Sequence, residues 1–112
     1  MPTTTSFNRA AVVLLPFPFS DQSAAKLRLA VILNPNYPSE DLLVVAVSSI
    51  SDSLRPGEFA LQFWREAGLI RPSFVKRALS SVLSSLVRRT LGQLRADDLT
   101  RLDSALRLWL GL

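Results

Sequence analysis

The segment Ala10-Ala11-Val12-Val13-Leu14-Leu15-Pro16-Phe17-Pro18-Phe19-Ser20-Asp21 restricts the fold more than any other stretch of this 112-residue chain. Its apolar, partly β-branched run over residues 12–19 suits a strand buried on much of both faces. Pro16 and Pro18 withhold the N–H groups that a sheet ladder needs, so the strand must end at an edge or a bulge. A polar loop follows at residues 20–26. A second apolar run, 27–33, opens beside a lone cation, Arg28, and stops at Asn34-Pro35-Asn36-Tyr37-Pro38. A strand, a structured loop and a strand with a cation at its mouth form one way to present a guanidinium to an anionic ligand.

A third strand is expected over residues 42–48, where valines favour strand over helix. Pro56-Gly57 marks a turn, residues 58–61 a short strand, and residues 62–67 one helical turn stopped by Gly68. Two segments stay open: 73–82 reads as a strand or a short helix, and 84–91 as either, with Gly92 marking a bend. The last segment is a helix, because Leu99, Leu102, Leu106, Trp109 and Leu110 recur at helical spacing. Asp97 and Asp98 fall in its first turn, where exposed N–H groups favour negative charge. Asp97 with Arg101 and Asp103 with Arg107 are spaced for favourable pairs along it. The expected architecture is α+β: a small, mostly antiparallel sheet or barrel covered by this helix, spanning residues 10–112 after a flexible arm at residues 1–9.

A chain of this length builds one core. Its longest apolar runs are strand-sized and none approaches a membrane span. The N-terminus lacks the basic and apolar segments of a secretory signal. These features predict a cytoplasmic protein without a membrane partner. The formal net charge of +4 is unevenly placed. No carboxylate lies between Glu66 and Asp97, whereas Arg71, Lys76, Arg77, Arg88, Arg89 and Arg95 all do. Such a basic half either attracts nucleic acid or an acidic protein segment, or is a solvated surface.

The composition also restricts the chemistry. Without histidine or cysteine there is no ordinary zinc site, no histidine-centred triad and no two-histidine acid–base pair. No phosphate-binding glycine loop or dinucleotide fingerprint is present, and the carboxylates show no paired spacing for magnesium. No metal or cofactor is therefore expected. Arginine with hydroxyls remains. A guanidinium grips phosphate bidentately and stabilises charge that builds on its oxygens. Arg28 fits that role, with Ser48 a nearby donor if the strands end together; the alternative is a surface arginine flanking a strand. Phe17 and Phe19 read as core or dimer contacts, and Trp109 as the anchor of its helix. Trp64 reads as satellite core or as a stacking surface.

Taken together, these residues resemble the PemK/MazF family of toxins from type II toxin–antitoxin systems. The resemblance runs through Pro16-Phe17-Pro18-Phe19-Ser20-Asp21, Lys26-Leu27-Arg28-Leu29-Ala30-Val31 and Val45-Ala46-Val47-Ser48-Ser49. It continues in Glu66-Ala67-Gly68-Leu69-Ile70-Arg71-Pro72-Ser73, in Val87-Arg88-Arg89-Thr90-Leu91-Gly92-Gln93-Leu94 and in the final helix, covering about residues 10–112. It implies an SH3-like β-barrel that assembles as a homodimer. It also implies a metal-independent endoribonuclease that cuts single-stranded RNA by attack of the 2′-hydroxyl, with Arg28 and Ser48 catalytic. Ser20, Asp21, Gln22, Ser23, Lys26, Ser49, Lys76 and Arg77 would contact RNA. A cognate antitoxin would block the groove, and toxin with antitoxin would bind operator DNA.

Three positions depart from the family pattern. Ala10-Ala11 replaces Gly-Asp, Leu29 replaces the proline after the arginine, and Arg95 stands where a serine caps the last helix. The lost cap costs about 1 kcal/mol of helix stability. These departures keep open an alternative: a catalytically inactive member that binds nucleic acid or an antitoxin through its basic half.

Overall fold

The three apolar runs become the middle of one sheet. The computed structural model describes residues 8–16, 26–34, 41–50 and 53–112. Its elements are β1 (Ala11–Pro16), β2 (Leu27–Ile32), β3 (Asp41–Ser48), β4 (Phe59–Ala60), β5 (Phe74–Leu83), a 3-10 turn (Ser84–Leu86), β6 (Arg89–Gln93) and α1 (Ala96–Leu110). The strands lie in the order β4-β5-β3-β2-β1-β6, and every pairing is antiparallel. This is the expected α+β arrangement, a curled half-barrel with one C-terminal helix.

Both faces of the central strands are buried, which is why their sequences run apolar without alternation. On one face Val12, Val31, Val45, Val47 and Val75 pack with Leu61, Ala67, Leu69, Leu94 and Leu102 beneath α1 and the 62–68 turn. On the other, Val13, Leu15, Ala30, Ile32, Leu42 and Val44 pack with Val82 and Val87. β1 is an interior strand, but its pairing with β6 ends at Leu14 opposite Arg89, while its pairing with β2 runs on to Pro16 opposite Leu27. Pro16 therefore sits where β1 has outrun one neighbour and is locally an edge, and its missing N–H costs no ladder bond there.

Residues 73–82 resolve as a strand, and the reason for the ambiguous pattern is visible. Between Val45 and Val47 of β3, the partner strand advances from Leu79 to Val75, so residues 76–78 bulge from β5. Residues 84–91 divide into the 3-10 turn and β6. Gly92 lies inside β6 beside an irregularity in the ladder: Val12 is paired with Gly92 and Val13 with Thr90, so Leu91 bulges and the strand bends there, as the sequence suggested. Its role is close approach: a Cβ on Gly92 would stand 2.4 Å from the Ala67 carbonyl oxygen, and one on Gly68 would stand 2.2 Å from that of Leu91. The turn at 62–68 thus lies backbone-on-backbone against β6. It closes with Ala67 N–H donating to Phe63 O at 3.1 Å and ends at Gly68, with φ +92°.

α1 carries different ion pairs from those its spacing predicts. Asp98 is fully buried and accepts the backbone N–H groups of Gln62 at 3.0 Å and Phe63 at 2.9 Å, with Arg101 at 3.6 Å. Asp97 is exposed, and Arg101 is drawn to Asp98 instead. Asp103 pairs with Arg9, whose Nε also donates to the Leu33 carbonyl at 2.8 Å. Arg9 is therefore anchored to the folded body. Arg95 occupies the N-cap position of α1 without a side-chain cap bond and lies over the Phe63 ring at 5.9 Å. At the other end of α1, Trp109 Nε1 donates to the Pro56 carbonyl at 2.9 Å and anchors the helix on the 56–57 turn.

Ala10, where the family has glycine, is a non-glycine residue with positive φ, +78°. It is fully buried, donates to Ile32 O at 2.8 Å and accepts from Leu94 N at 2.9 Å. Those two bonds hold a backbone conformation that costs an L-residue about 1–2 kcal/mol.

Replacing Asp98 with alanine strands two N–H groups beneath the helix. We expect Asp98→Ala to lower the unfolding free energy by about 3 kcal/mol and Asp97→Ala to change it by less than about 0.5 kcal/mol. Urea titration followed by circular dichroism measures both; equal effects would contradict the assignment.

Candidate active site

Strand register decides what Arg28 faces. β2 and β3 pair Leu29 with Val47, Ala30 with Ala46 and Val31 with Val45. Carried one step on, that register sets Arg28 opposite Ser48. By alternation, Arg28 shares its sheet face with Ala30 and Ile32, and Ser48 shares the same face with Val44 and Ala46. On its other side Arg28 is paired with Leu15 of β1. The side chain is exposed, and no carboxylate among the described residues pairs with it. Ser48 is half-buried at the end of β3, and its Oγ accepts the Ile50 N–H at 3.1 Å. That bond orients the hydroxyl and leaves its hydrogen free to donate. A guanidinium and an oriented O–H, side by side on adjacent strands, form a donor set for a phosphate.

Lys26 and Ser49 are exposed at the same end of the sheet, one strand residue away from this pair or two. Lys76 and Arg77 stand on the β5 bulge, farther along the neighbouring strand. Lys76 is half-buried and held by Glu58 at 3.5 Å, whereas Arg77 is exposed. The remaining RNA-contact candidates, Ser20, Asp21, Gln22 and Ser23, lie outside the described residues, as do Phe17 and Phe19. Trp64 packs against the helix-covered core, with Arg65 over its ring at 4.9 Å. Among the described residues no group of three His, Cys, Asp or Glu side chains is placed to hold a metal ion.

Glu58 had no signal in the sequence beyond following Pro56-Gly57, yet it organises the bulge. Its carboxylate accepts Arg55 N–H and Arg77 N–H, both at 2.7 Å, and pairs with Lys76. The Arg77 N–H is a group that the bulge takes out of the ladder, and Glu58 satisfies it. Burial by itself would raise this carboxyl; the Arg55 and Arg77 N–H groups and the Lys76 ammonium outweigh it and hold the group below its ordinary value. A second group missed by local reading is a cavity of about 380 Å³ on the opposite sheet face, lined by Leu14, Leu29, Leu69 and Leu91 with Arg71 and Arg89. Its walls come from five separate stretches of chain, Ser49 at the end of β3 among them, and no spacing in the sequence announces it.

The curled antiparallel half-barrel with one C-terminal helix is the fold that the comparisons match. A family model described as PemK-like, MazF-like toxin of type II toxin–antitoxin system matches residues 8–110, and the chain belongs to that family. Similar solved structures include an endoribonuclease in complex with its cognate antitoxin from mycobacterial species, at 15% identity and TM-score 0.77, covering 96% of this chain and 97% of that one. MazF from Deinococcus radiodurans is similar at 22% identity and TM-score 0.74, covering 97% of this chain and 100% of that one. The MazE–MazF complex of the same organism gives 20% identity and TM-score 0.76, covering 96% and 99%. Comparison with curated protein sequences gives no match. Among the described residues no helix is long and apolar enough to cross a membrane.

The depressed Glu58 pKa has a pH signature. Its stabilisation is present above the ordinary carboxylate range and is lost as pH falls through the folded-state value. Chemical denaturation between pH 7 and pH 3 should show a stability loss for the wild type that is clearly smaller in Glu58→Gln. Parallel acid limbs would show that Glu58 does not carry it.

Proposed function

We propose that this chain is a sequence-specific endoribonuclease toxin that cleaves single-stranded RNA without a metal ion and is neutralised by a cognate antitoxin. The observation that supports the reading is the β2–β3 register, which pairs Leu29 with Val47 and, extended by one residue, sets Arg28 beside Ser48. Family membership supports it. The endoribonuclease and antitoxin named in the similar structures point the same way.

In the proposed reaction the ribose 2′-oxygen attacks the adjacent phosphorus and the P–O5′ bond breaks. The electron pair leaves on O5′, which takes a proton. The products are a 2′,3′-cyclic phosphate and a 5′-hydroxyl end. The Arg28 guanidinium donates to the non-bridging oxygens, where negative charge accumulates; one of those oxygens takes the 2′-hydroxyl proton, Arg28 gives a proton to the departing O5′, and the phosphate oxygen then returns its proton to Arg28. Ser48 donates its free O–H to the same phosphate. Lys26, Ser49 and Arg77 supply further positive charge or donors along the RNA path. Lys76, committed to Glu58, contributes by fixing the bulge. The active unit is a homodimer in this reading, and toxin with antitoxin binds operator DNA.

Leu29 in place of proline removes one backbone restraint beside Arg28. The ladder supplies another, since Leu29 is paired with Leu14 on one side and Val47 on the other. The strained Ala10 favours the second reading, an inactive member that binds nucleic acid or an antitoxin.

Purified, antitoxin-free protein incubated with a long single-stranded RNA in excess EDTA distinguishes the two. We expect discrete fragments ending in cyclic phosphate, a loss of at least about a hundredfold for Arg28→Ala, about tenfold for Ser48→Ala, and retained cleavage for Ser48→Thr. Intact RNA with a folded wild type would establish the inactive member.

A further inference from the structure

Of the residues that line the cavity behind the Arg28–Ser48 pair, only Ser49 enters the reaction described above. The cavity lies on the helix-covered face of the same strands and holds about 380 Å³. Leu14 and Leu29 form its sheet side, Leu91 its β6 side and Leu69 its loop side; Arg71 and Arg89 bring guanidiniums to it and Ser49 a hydroxyl. We propose that this cavity is a nucleotide subsite, receiving the base of a residue that flanks the cleaved bond while Arg71 and Arg89 take its phosphate. The proposal rests on the nuclease reading and adds a binding position to it.

Three observations converge. The first is adjacency. Leu29 follows Arg28 along β2 and is paired across the ladder with Val47, the residue before Ser48, and Ser49 reaches the cavity from the end of β3. An RNA strand leaving the Arg28–Ser48 face meets the cavity by passing around the end of β3, where Ser49 and Ile50 are exposed.

The second is charge. No carboxylate lines the cavity, while Arg71 and Arg89 are exposed and no carboxylate among the described residues pairs with either. An apolar floor with unneutralised guanidiniums at its margin suits a flat base bearing an anion. The third is size and rigidity. The volume is at the small end of ligand pockets and suits one nucleotide, whereas a helix about 10 Å across does not enter it. Its loop wall is fixed, since the buried Ser73 hydroxyl donates to the Arg71 carbonyl at 3.0 Å and Gly68 lies against the β6 backbone.

The test is an NMR titration of the wild type with AMP, GMP, CMP and UMP, and with inorganic phosphate alone, following leucine methyls and backbone amides. We expect at least one nucleotide to shift Leu14, Leu29 and Leu91, and Arg71→Ala or Arg89→Ala to weaken it roughly tenfold without disturbing the remaining spectrum. Phosphate alone should leave the leucine methyls in place. Absent shifts, shifts confined to the Leu15 and Val82 face, or a full response to phosphate would each overturn the subsite. A cavity silent to nucleotides but shifted by an acidic, leucine-containing peptide would overturn it in favour of a protein ligand. Arg28→Ala separates the readings: it should abolish cleavage and leave these shifts unchanged. A wild type that shows the shifts but cuts no RNA would refute the nuclease and leave the nucleotide site standing.

Discussion

The buried carboxylate of Asp98 ties together the parts of this molecule that local sequence does not hold. It begins on α1, and its two oxygens take the N–H groups that open the 62–68 turn. That turn rests on β6 through the glycine contacts at 68 and 92, where no side chain fits. From Gly68 the chain passes along residues 69–71 into β5, which pairs with the strand bearing Ser48. The helix, the cavity wall and the sheet therefore share one set of buried bonds. Arg101 beside Asp98 offsets part of its charge, and the two accepted N–H groups account for most of its tolerance at full burial.

The sheet gives its two faces different work. The β2–β3 ladder ends at Leu29 opposite Val47, and Arg28 and Ser48 are the next strand residues, so the proposed catalytic donors extend the face of Val13, Leu15, Ala30 and Val44 rather than sit in loops. Such placement restricts their motion, which charge stabilisation at a reacting phosphate requires. The other face is covered by α1 and the 62–68 turn, and where that cover stops, the leucine-lined cavity opens beside Arg71 and Arg89. The basic second half of the chain is thus divided among a bulge pinned by Glu58, a cavity margin and exposed strand positions.

What the sequence reveals, and what it hides, follows from the range of each interaction. The strands within 12–16, 27–33 and 42–48 are legible because β-branched and apolar residues buried on both faces need no partner to identify them; the end of the first run, residues 17–19, lies outside the described residues. The helix was legible from the spacing of Leu99, Leu102, Leu106 and Trp109. Residues 73–82 read ambiguously because the bulge at 76–78 breaks the alternation on which a strand is recognised. Gly92 marks the bend beside the Leu91 bulge, but the reason glycine is required there, the close approach of Ala67, comes from far away in the chain. Spacing paired Asp97 with Arg101, but the neighbouring Asp98 is held by backbone from another segment, and Arg101 follows it. Arg28 and Ser48 stood out as residue types; their common row became visible only with the register of β2 on β3. The candidates at 20–23 lie outside the described residues, and the structure adds nothing to their assignment.

In the proposed reaction Arg28 and Ser48 act on one phosphate. The measurement that addresses it most directly is a crystal structure of the protein with an RNA oligonucleotide blocked by a 2′-O-methyl group at the cleaved position. The phosphate 3′ to the blocked ribose is expected to accept hydrogen bonds from both the Arg28 guanidinium and the Ser48 hydroxyl. A phosphate held by only one of them, or RNA bound elsewhere with this end of the sheet empty, would contradict it.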